Sequence, residues 1–135
     1  MFPQLAEVPA VSDTMYDWIG GETTVRALVD RFYELMDSDP AVAPIRAMHK
    51  EDLGPMRQSL FEYLSGWLGG PPLFIQKRGS PCIVKAHKPL HIDAAAAEQW
   101  MKCMRQAMVD VGIDDQYRQM LEPAFGRVAG ALKNS

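Results

Sequence analysis

The sequence has little cysteine and no excess of positive charge. Its two cysteines, Cys82 and Cys103, are too few for a disulfide scaffold and lack C-x-x-C spacing, so we expect free thiols. Fourteen Lys and Arg against seventeen Asp and Glu give a formal net charge of −3. Because no cluster of basic residues could bind a phosphate backbone, we do not expect nucleic acid as a partner.

The sequence also lacks a long apolar run. Its first ten residues, MFPQLAEVPA, have no basic start followed by an apolar core. We therefore expect neither a signal peptide nor a membrane span, and a cytoplasmic protein. A chain of 135 residues that is 47% hydrophobic and 23% charged fits one globular domain. We expect this domain at residues 12–135, after an N-terminal extension of residues 1–11.

Apolar residues at intervals of three and four predict an all-α fold, and no alternating run predicts a strand. Glycine, proline and aspartate punctuate the helical segments. The predicted helical segments are residues 12–19, 23–36, 40–48, 53–67, 93–111 and 114–132. Residues 73–81 look like a loop, and such long irregular segments in small domains often lie beside a ligand.

Familiar catalytic signatures are absent. The three histidines are His49, His87 and His91. The last two are four residues apart, as zinc ligands on a helix would be, but Pro89 interrupts the helix and no Glu follows the first. No nucleophile elbow, phosphate loop or pair of carboxylates on an apolar face is present. From periodicity alone, the methionine and aromatic side chains would simply fill the core.

The order of several motifs nevertheless resembles the group II truncated haemoglobins along nearly the whole chain. The motifs are WIGGE at 18–22, LVDRFYELMDSDP at 28–40, IRAMHKEDL at 45–53, LSGWLGGPPL at 64–73, K-x-G-x-P at 77–81, AHKPLHI at 86–92 and QWMKCM at 99–104. Residues 1 to about 11 lie outside the resemblance. The resemblance implies a truncated, two-over-two globin fold around one haem b.

The resemblance also implies an iron site. It places His87 as the axial ligand of the haem iron and Tyr33, Trp100 and His49 on the opposite face. The phenol O–H, indole N–H and imidazole N–H would then form a polar cage around a diatomic ligand that carries partial negative charge. Met56 occupies the distal position where many globins have histidine or glutamine.

Apolar side chains that match the family's haem pocket complete the implied site. They are Leu60, Tyr63, Leu64, Phe74, Leu90, Ile92, Met104 and Phe125. Two residues depart from the family pattern, since Ala86 stands where many members have arginine and Ser80 replaces a common histidine. Lys85 and Arg78 are nearby candidates to bind the haem propionates.

The implied function is the binding of dioxygen, nitric oxide and carbon monoxide by a haem protein. Strong hydrogen bonding favours slow release, so we expect redox chemistry, such as nitric oxide dioxygenation or a peroxidase-like reaction, over oxygen transport. A reductase would be a partner, the protein would be a monomer or a homodimer, and His49 itself could bind the iron. The alternative is a haem-free, globin-like interaction or sensor domain, which the departures at Ala86 and Ser80 support.

Overall fold

The computed structural model describes residues 14–49, 52–74 and 93–132. Within these ranges it contains six α-helices, one 3-10 helix and no strand, which confirms the predicted all-α class. The helices are α1 (Met15–Ile19), α2 (Gly21–Ser38), the 3-10 helix (Pro40–Val42), α3 (Ala43–Ala47), α4 (Gly54–Trp67), α5 (Ala94–Asp110) and α6 (Asp115–Leu132). Ten residues singled out above lie outside the described ranges: Arg78, Ser80, Cys82, Lys85, Ala86, His87, Pro89, Leu90, His91 and Ile92.

Side-chain caps and glycines set the helix boundaries. The Thr14 hydroxyl accepts a hydrogen bond from the Asp17 N–H at the start of α1, and the Asp93 carboxylate accepts one from the Ala96 N–H at 2.8 Å at the start of α5. Gly20 and Gly21 have φ values of 122° and 69°, which side chains rarely adopt. The turn they form lets α2 begin two residues before the predicted Thr23.

The core lies between α2, α5 and α6. α2 contacts α4 and α5, and α5 contacts α6. The buried residues of α2 are Val25, Leu28, Val29, Phe32, Tyr33 and Met36. On α6 the buried positions are Leu121, Phe125 and Ala129, at i, i+4 spacing, whereas the predicted Val128 is only half-buried. None of the helices in the described ranges is long and apolar enough to cross a membrane.

The C-terminal end of α4 is tied to α1. The Ser65 hydroxyl, which is fully buried, donates to the Pro71 carbonyl at 2.7 Å. The Tyr16 N–H donates to the Leu68 carbonyl at 3.0 Å, and a Cβ added at Gly70 would lie 2.5 Å from the Tyr16 ring. The glycine therefore allows α1 to pack directly on the turn that ends α4.

The apolar spacing in residues 53–67 predicts one buried face of α4, which includes Leu60 and Leu64, but the structure buries a second face as well. Leu60 and Leu64 are buried as expected, but Phe61 and Glu62 on another face are buried too. Gln58 donates to the Glu62 carboxylate at 2.9 Å and accepts from Arg26 at 3.0 Å. The Arg26 guanidinium also lies 3.7 Å over the Phe61 ring. Polar and cation–π contacts to α2 thus cover the face that periodicity assigned to solvent.

The cysteine described by the structure, Cys103, is a buried free thiol on α5. Burial raises the pKa of the Cys103 thiol to about 11, so this side chain stays protonated near neutral pH and behaves as a small apolar group. Cys82 lies outside the described residues.

Candidate functional site

Tyr33 projects from α2 into the interior. Its side chain is 6% exposed, and burial raises the pKa of its phenol well above the ordinary value of 10.0, while the nearby charge of Arg57 acts in the opposite direction. The hydroxyl therefore stays protonated at all physiological pH values and is a hydrogen-bond donor. The Tyr33 ring meets Phe32 edge to face, with ring centroids 5.0 Å apart.

Trp100 lies on α5, on the other side of Phe32. The centroids of the Trp100 and Phe32 rings are 5.4 Å apart, and Trp100 also contacts Phe125 on α6 at 6.0 Å. The Trp100 side chain is half-buried. The structure thus brings the predicted tyrosine and tryptophan to the same part of the interior, with the Phe32 ring between them.

Tyr33 and Trp100 each carry one hydrogen-bond donor, a phenol O–H and an indole N–H. Within the described ranges, no residue accepts a hydrogen bond from the Tyr33 hydroxyl or from the Trp100 indole N–H. Buried polar groups are usually hydrogen-bonded, because leaving them unpaired costs free energy. The Tyr33 side chain is buried and that of Trp100 half-buried, so their two donors are suited to binding a small ligand with acceptor atoms that reaches the Phe32 ring.

His49 lies against Tyr33 just after α3, with ring centroids 6.0 Å apart. Its Nδ1 is 2.8 Å from the Ile45 carbonyl oxygen. Because a carbonyl can only accept, Nδ1 carries the proton, and Nε2 of the neutral ring is an acceptor. The predicted donor role of His49 toward a ligand therefore applies only to the protonated imidazolium.

Gln99 fixes the position of α3 and hence of His49. The Ile45 N–H, at the start of α3, donates to the Gln99 side-chain oxygen at 3.2 Å. Because Gln99 precedes Trp100 on α5, the same stretch of helix holds the tryptophan and anchors the short helix that carries the histidine. Sequence reasoning did not identify this role, since Gln99 carries no periodic signal.

The apolar residues predicted to line the pocket are mostly buried. Leu60, Leu64, Phe74, Met104 and Phe125 are buried, and Tyr63 is half-buried with its ring 5.5 Å from Phe74. The Phe125 ring stacks on Trp67 at 4.7 Å and contacts Trp100, so protein rings cover two of its sides. Their contact with haem remains a prediction.

The described residues fit the haem that the sequence implies. Their apolar side chains are of the kind that line the pocket of a flat macrocycle, and the Tyr33 phenol and the Trp100 indole N–H are hydrogen-bond donors. The predicted axial ligand, His87, and the predicted propionate partners, Arg78 and Lys85, belong to the segment outside the described ranges. Phe32, the ring between Tyr33 and Trp100, was predicted only as a core residue, because periodicity gives burial but not ring contacts.

Comparisons with known proteins agree with this architecture. The model of the bacterial-like globin family matches residues 14–134. The group 2 truncated hemoglobin YjbI of Bacillus subtilis is 36% identical over 108 residues, which are 80% of this chain and 77% of that protein.

Solved structures show the same likeness. A cold-adapted truncated hemoglobin from Pseudoalteromonas haloplanktis TAC125 has a TM-score of 0.88 and 39% identity, covering 91% of this chain and 99% of that one. A group II 2-on-2 hemoglobin from Agrobacterium tumefaciens has a TM-score of 0.86 and 39% identity, covering 90% and 94%. The chain therefore belongs to the bacterial-like globin family, as a truncated haemoglobin of group II, and this membership implies binding of haem and of diatomic ligands.

Proposed function

We propose that this protein binds haem b and holds dioxygen, nitric oxide or carbon monoxide beside Tyr33 and Trp100, for redox chemistry and not for simple transport. The observation that carries the proposal is the pair of donors around Phe32. Both groups are fixed by ring contacts in the core. They need no reorganisation to meet a ligand.

Haem, when bound, supplies the iron atom that binds the diatomic ligand and exchanges electrons with it. On this proposal His87 would hold the haem iron, and Lys85 and Arg78 would neutralise the propionates. The apolar contacts to the macrocycle come from Leu60, Tyr63, Leu64, Phe74, Leu90, Ile92, Met104 and Phe125. These assignments follow the family pattern residue by residue.

Tyr33 and Trp100 stabilise the bound ligand by hydrogen bonding. A donor that is unpaired in the ligand-free protein gains its full hydrogen bond when an acceptor arrives, so the bond favours the bound state. The Tyr33 phenol has one O–H and the Trp100 indole one N–H, so each gives one hydrogen bond to the ligand. His49, whose ring lies beside that of Tyr33, would add a third donor as an imidazolium. The hydrogen bonds therefore slow ligand dissociation.

Slow dissociation favours reaction over delivery. A ligand that stays bound can meet a second molecule, as in the conversion of nitric oxide to nitrate with dioxygen, or can be reduced, as a peroxide is in a peroxidase-like reaction. Such chemistry needs a reductase to return electrons to the iron. We place the protein in the cytoplasm, where cellular reductases and both gases are present.

The test is spectroscopy and kinetics of the haem-loaded protein. We expect a Soret band that weakens or shifts in His87→Ala. We expect dioxygen dissociation to accelerate by about tenfold or more in Tyr33→Phe and in Trp100→Phe, because each loses one hydrogen bond to a partly charged ligand. Trp18→Phe is the matched control, since Trp18 is exposed and stacks on Tyr117 away from the site.

Two results would contradict the proposal at different levels. A Soret band with unchanged dissociation rates in Tyr33→Phe and Trp100→Phe would leave a haem protein without the polar cage. No Soret band after haem addition would instead favour the haem-free interaction or sensor domain, which the residues Ala86 and Ser80 support.

A further inference from the structure

A continuous series of aromatic ring contacts leads from the candidate site to the end of α4. Each ring in the series meets the next with centroids 4.7 to 6.0 Å apart. In order, the rings are Tyr33, Phe32, Trp100, Phe125 and Trp67. The series crosses three helices, α2, α5 and α6, before it reaches α4.

The rings of the series differ in exposure. Phe32 and Phe125 are 0% and 1% exposed, so solvent cannot reach them. Trp67 is half-buried and is the last residue of α4, so part of its indole meets solvent. The series therefore leads from Tyr33 to the partly exposed Trp67 through two fully buried phenyl rings and the half-buried Trp100.

The rings of the series differ in how readily they give up an electron. An indole gives up one electron far more readily than a phenyl ring does, so Trp100 and Trp67 can be oxidised while Phe125 only bridges them. A single phenyl ring, that of Phe125, separates the two indoles. Such close packing favours electron transfer from one indole to the other.

We propose that Trp67 is a surface electron donor. After a hydroperoxide has oxidised the haem site, Trp100 passes an electron to that site, and Trp67 replaces the electron that Trp100 has lost. This inference rests on the redox function proposed above. It gives the protein a second substrate position, at Trp67, for one-electron reductants such as phenols or ascorbate-type enediols. These molecules need not enter the pocket that holds the diatomic ligand.

The reduction of one peroxide molecule takes two one-electron transfers, over which electrons and protons balance. Hydrogen peroxide takes up two electrons and two protons, its O–O bond breaks, and two water molecules leave. For each electron, Trp100 reduces the oxidised site and is reduced in turn by Trp67, whose indole N–H proton passes to solvent. The resulting Trp67 radical takes one hydrogen atom from a phenolic reductant, so two phenols are oxidised per peroxide.

The test combines spin trapping with peptide mass spectrometry on the haem-loaded protein. Hydrogen peroxide is added with a nitroso spin trap, and the trapped residue is identified. We expect an adduct on Trp67 in the wild type and in Trp18→Phe, its loss in Trp67→Phe, and an adduct on the new side chain in Trp67→Tyr, because a phenol is also oxidisable. Peroxide-dependent oxidation of a bulky phenol should fall several-fold in Trp67→Phe and recover in Trp67→Tyr.

Trp18 makes the experiment specific. It is 44% exposed, more open to solvent than Trp67, but it stacks on Tyr117 and is not part of the series. If exposure alone directed oxidation, adducts would form on Trp18. Adducts on Trp18 would overturn the proposed electron transfer from Trp67 through Trp100, which we call the relay. Unchanged phenol oxidation in Trp67→Phe would overturn it too.

The outcomes separate this inference from the one on which it depends. A Soret band and normal peroxide consumption without an adduct on Trp67 would overturn the relay alone. The absence of a Soret band would overturn the proposed function, and the relay with it. Should Trp67→Phe fold poorly by circular dichroism, the position of the adduct in Trp67→Tyr decides the question.

Discussion

The end of α4 and the crossing of α2 and α5 both place a hydroxyl group in the interior, but they treat it differently. The Ser65 hydroxyl donates to the Pro71 carbonyl at 2.7 Å. The Tyr33 hydroxyl has no acceptor among the residues that the structure describes. The Ser65 hydroxyl, which is paired within the protein, stabilises the fold, whereas we propose that the Tyr33 hydroxyl binds a ligand.

The same distinction holds within the candidate site. The Gln99 side chain accepts from the Ile45 backbone N–H and so holds α3, whereas the neighbouring Trp100 indole has no acceptor in the described ranges. Of these two adjacent residues on α5, Gln99 has a partner within the protein that explains its position, and Trp100 is the one that we propose binds a ligand. Mutations that remove a hydrogen bond made within the protein should therefore lower stability, whereas loss of the Tyr33 or Trp100 donor should not.

The largest expected effect on stability is at Ser65. Ser65→Ala removes the donor to Pro71 and should lower the free energy of unfolding by about 1–2 kcal/mol, measured by urea denaturation. Ser38→Ala is the matched control, because its exposed hydroxyl donates to the Glu34 carbonyl at 2.8 Å and water can replace it. Equal losses of unfolding free energy in Ser65→Ala and Ser38→Ala would show that the buried hydroxyl contributes no more to stability than the exposed one.

A second effect appears at alkaline pH. The folded protein raises the pKa of Tyr33 above its ordinary value of 10.0, so the stabilisation associated with the neutral phenol is complete below pH 10 and is lost as pH rises above it. Relative to Tyr33→Phe, the wild type should lose up to about 1.4 kcal/mol of unfolding free energy per pH unit in that range. Parallel stability curves for the two proteins from pH 9 to 11 would show that burial does not hold the phenol neutral.

The smallest effect is expected for Tyr33→Phe at pH 7. Because no hydrogen bond to a described residue is lost, the free energy of unfolding of the haem-free protein should change by less than about 0.5 kcal/mol. Gln99→Ala provides the contrast, since it leaves the Ile45 N–H without its acceptor and should cost about 1 kcal/mol. A large loss in Tyr33→Phe would show that the hydroxyl has a structural partner.

Local signals in the sequence predicted the helices well. The start of α5 after Asp93, the Gly20-Gly21 turn and the end of α4 at Trp67 lie where the sequence placed them, whereas α1 begins at Met15, three residues after the predicted start at residue 12. Such features depend on residues a few positions apart, so they can be read from a single sequence. The family resemblance added what periodicity could not, namely that Tyr33 and Trp100, far apart in the chain, lie in one region.

The long-range contacts were not predictable in the same way. Arg26 of α2 lies over the buried Phe61 and donates to Gln58, which in turn donates to the buried Glu62, and nothing within α4 indicates the contacts with α2. The proton on Nδ1 of His49 depends on the Ile45 carbonyl, which is a matter of three-dimensional geometry. The series from Tyr33 to Trp67 likewise requires the relative placement of four helices.

The packing of Tyr16 on Gly70 also has a consequence for the order of folding. A helix of five residues such as α1 is too short to persist alone, so it gains its stability from the contacts with the end of α4. Those contacts close a long loop of chain and form only after α2 and α4 have met. We therefore expect α1 to dock late and, in the native state, to be among the first segments whose amides exchange with solvent.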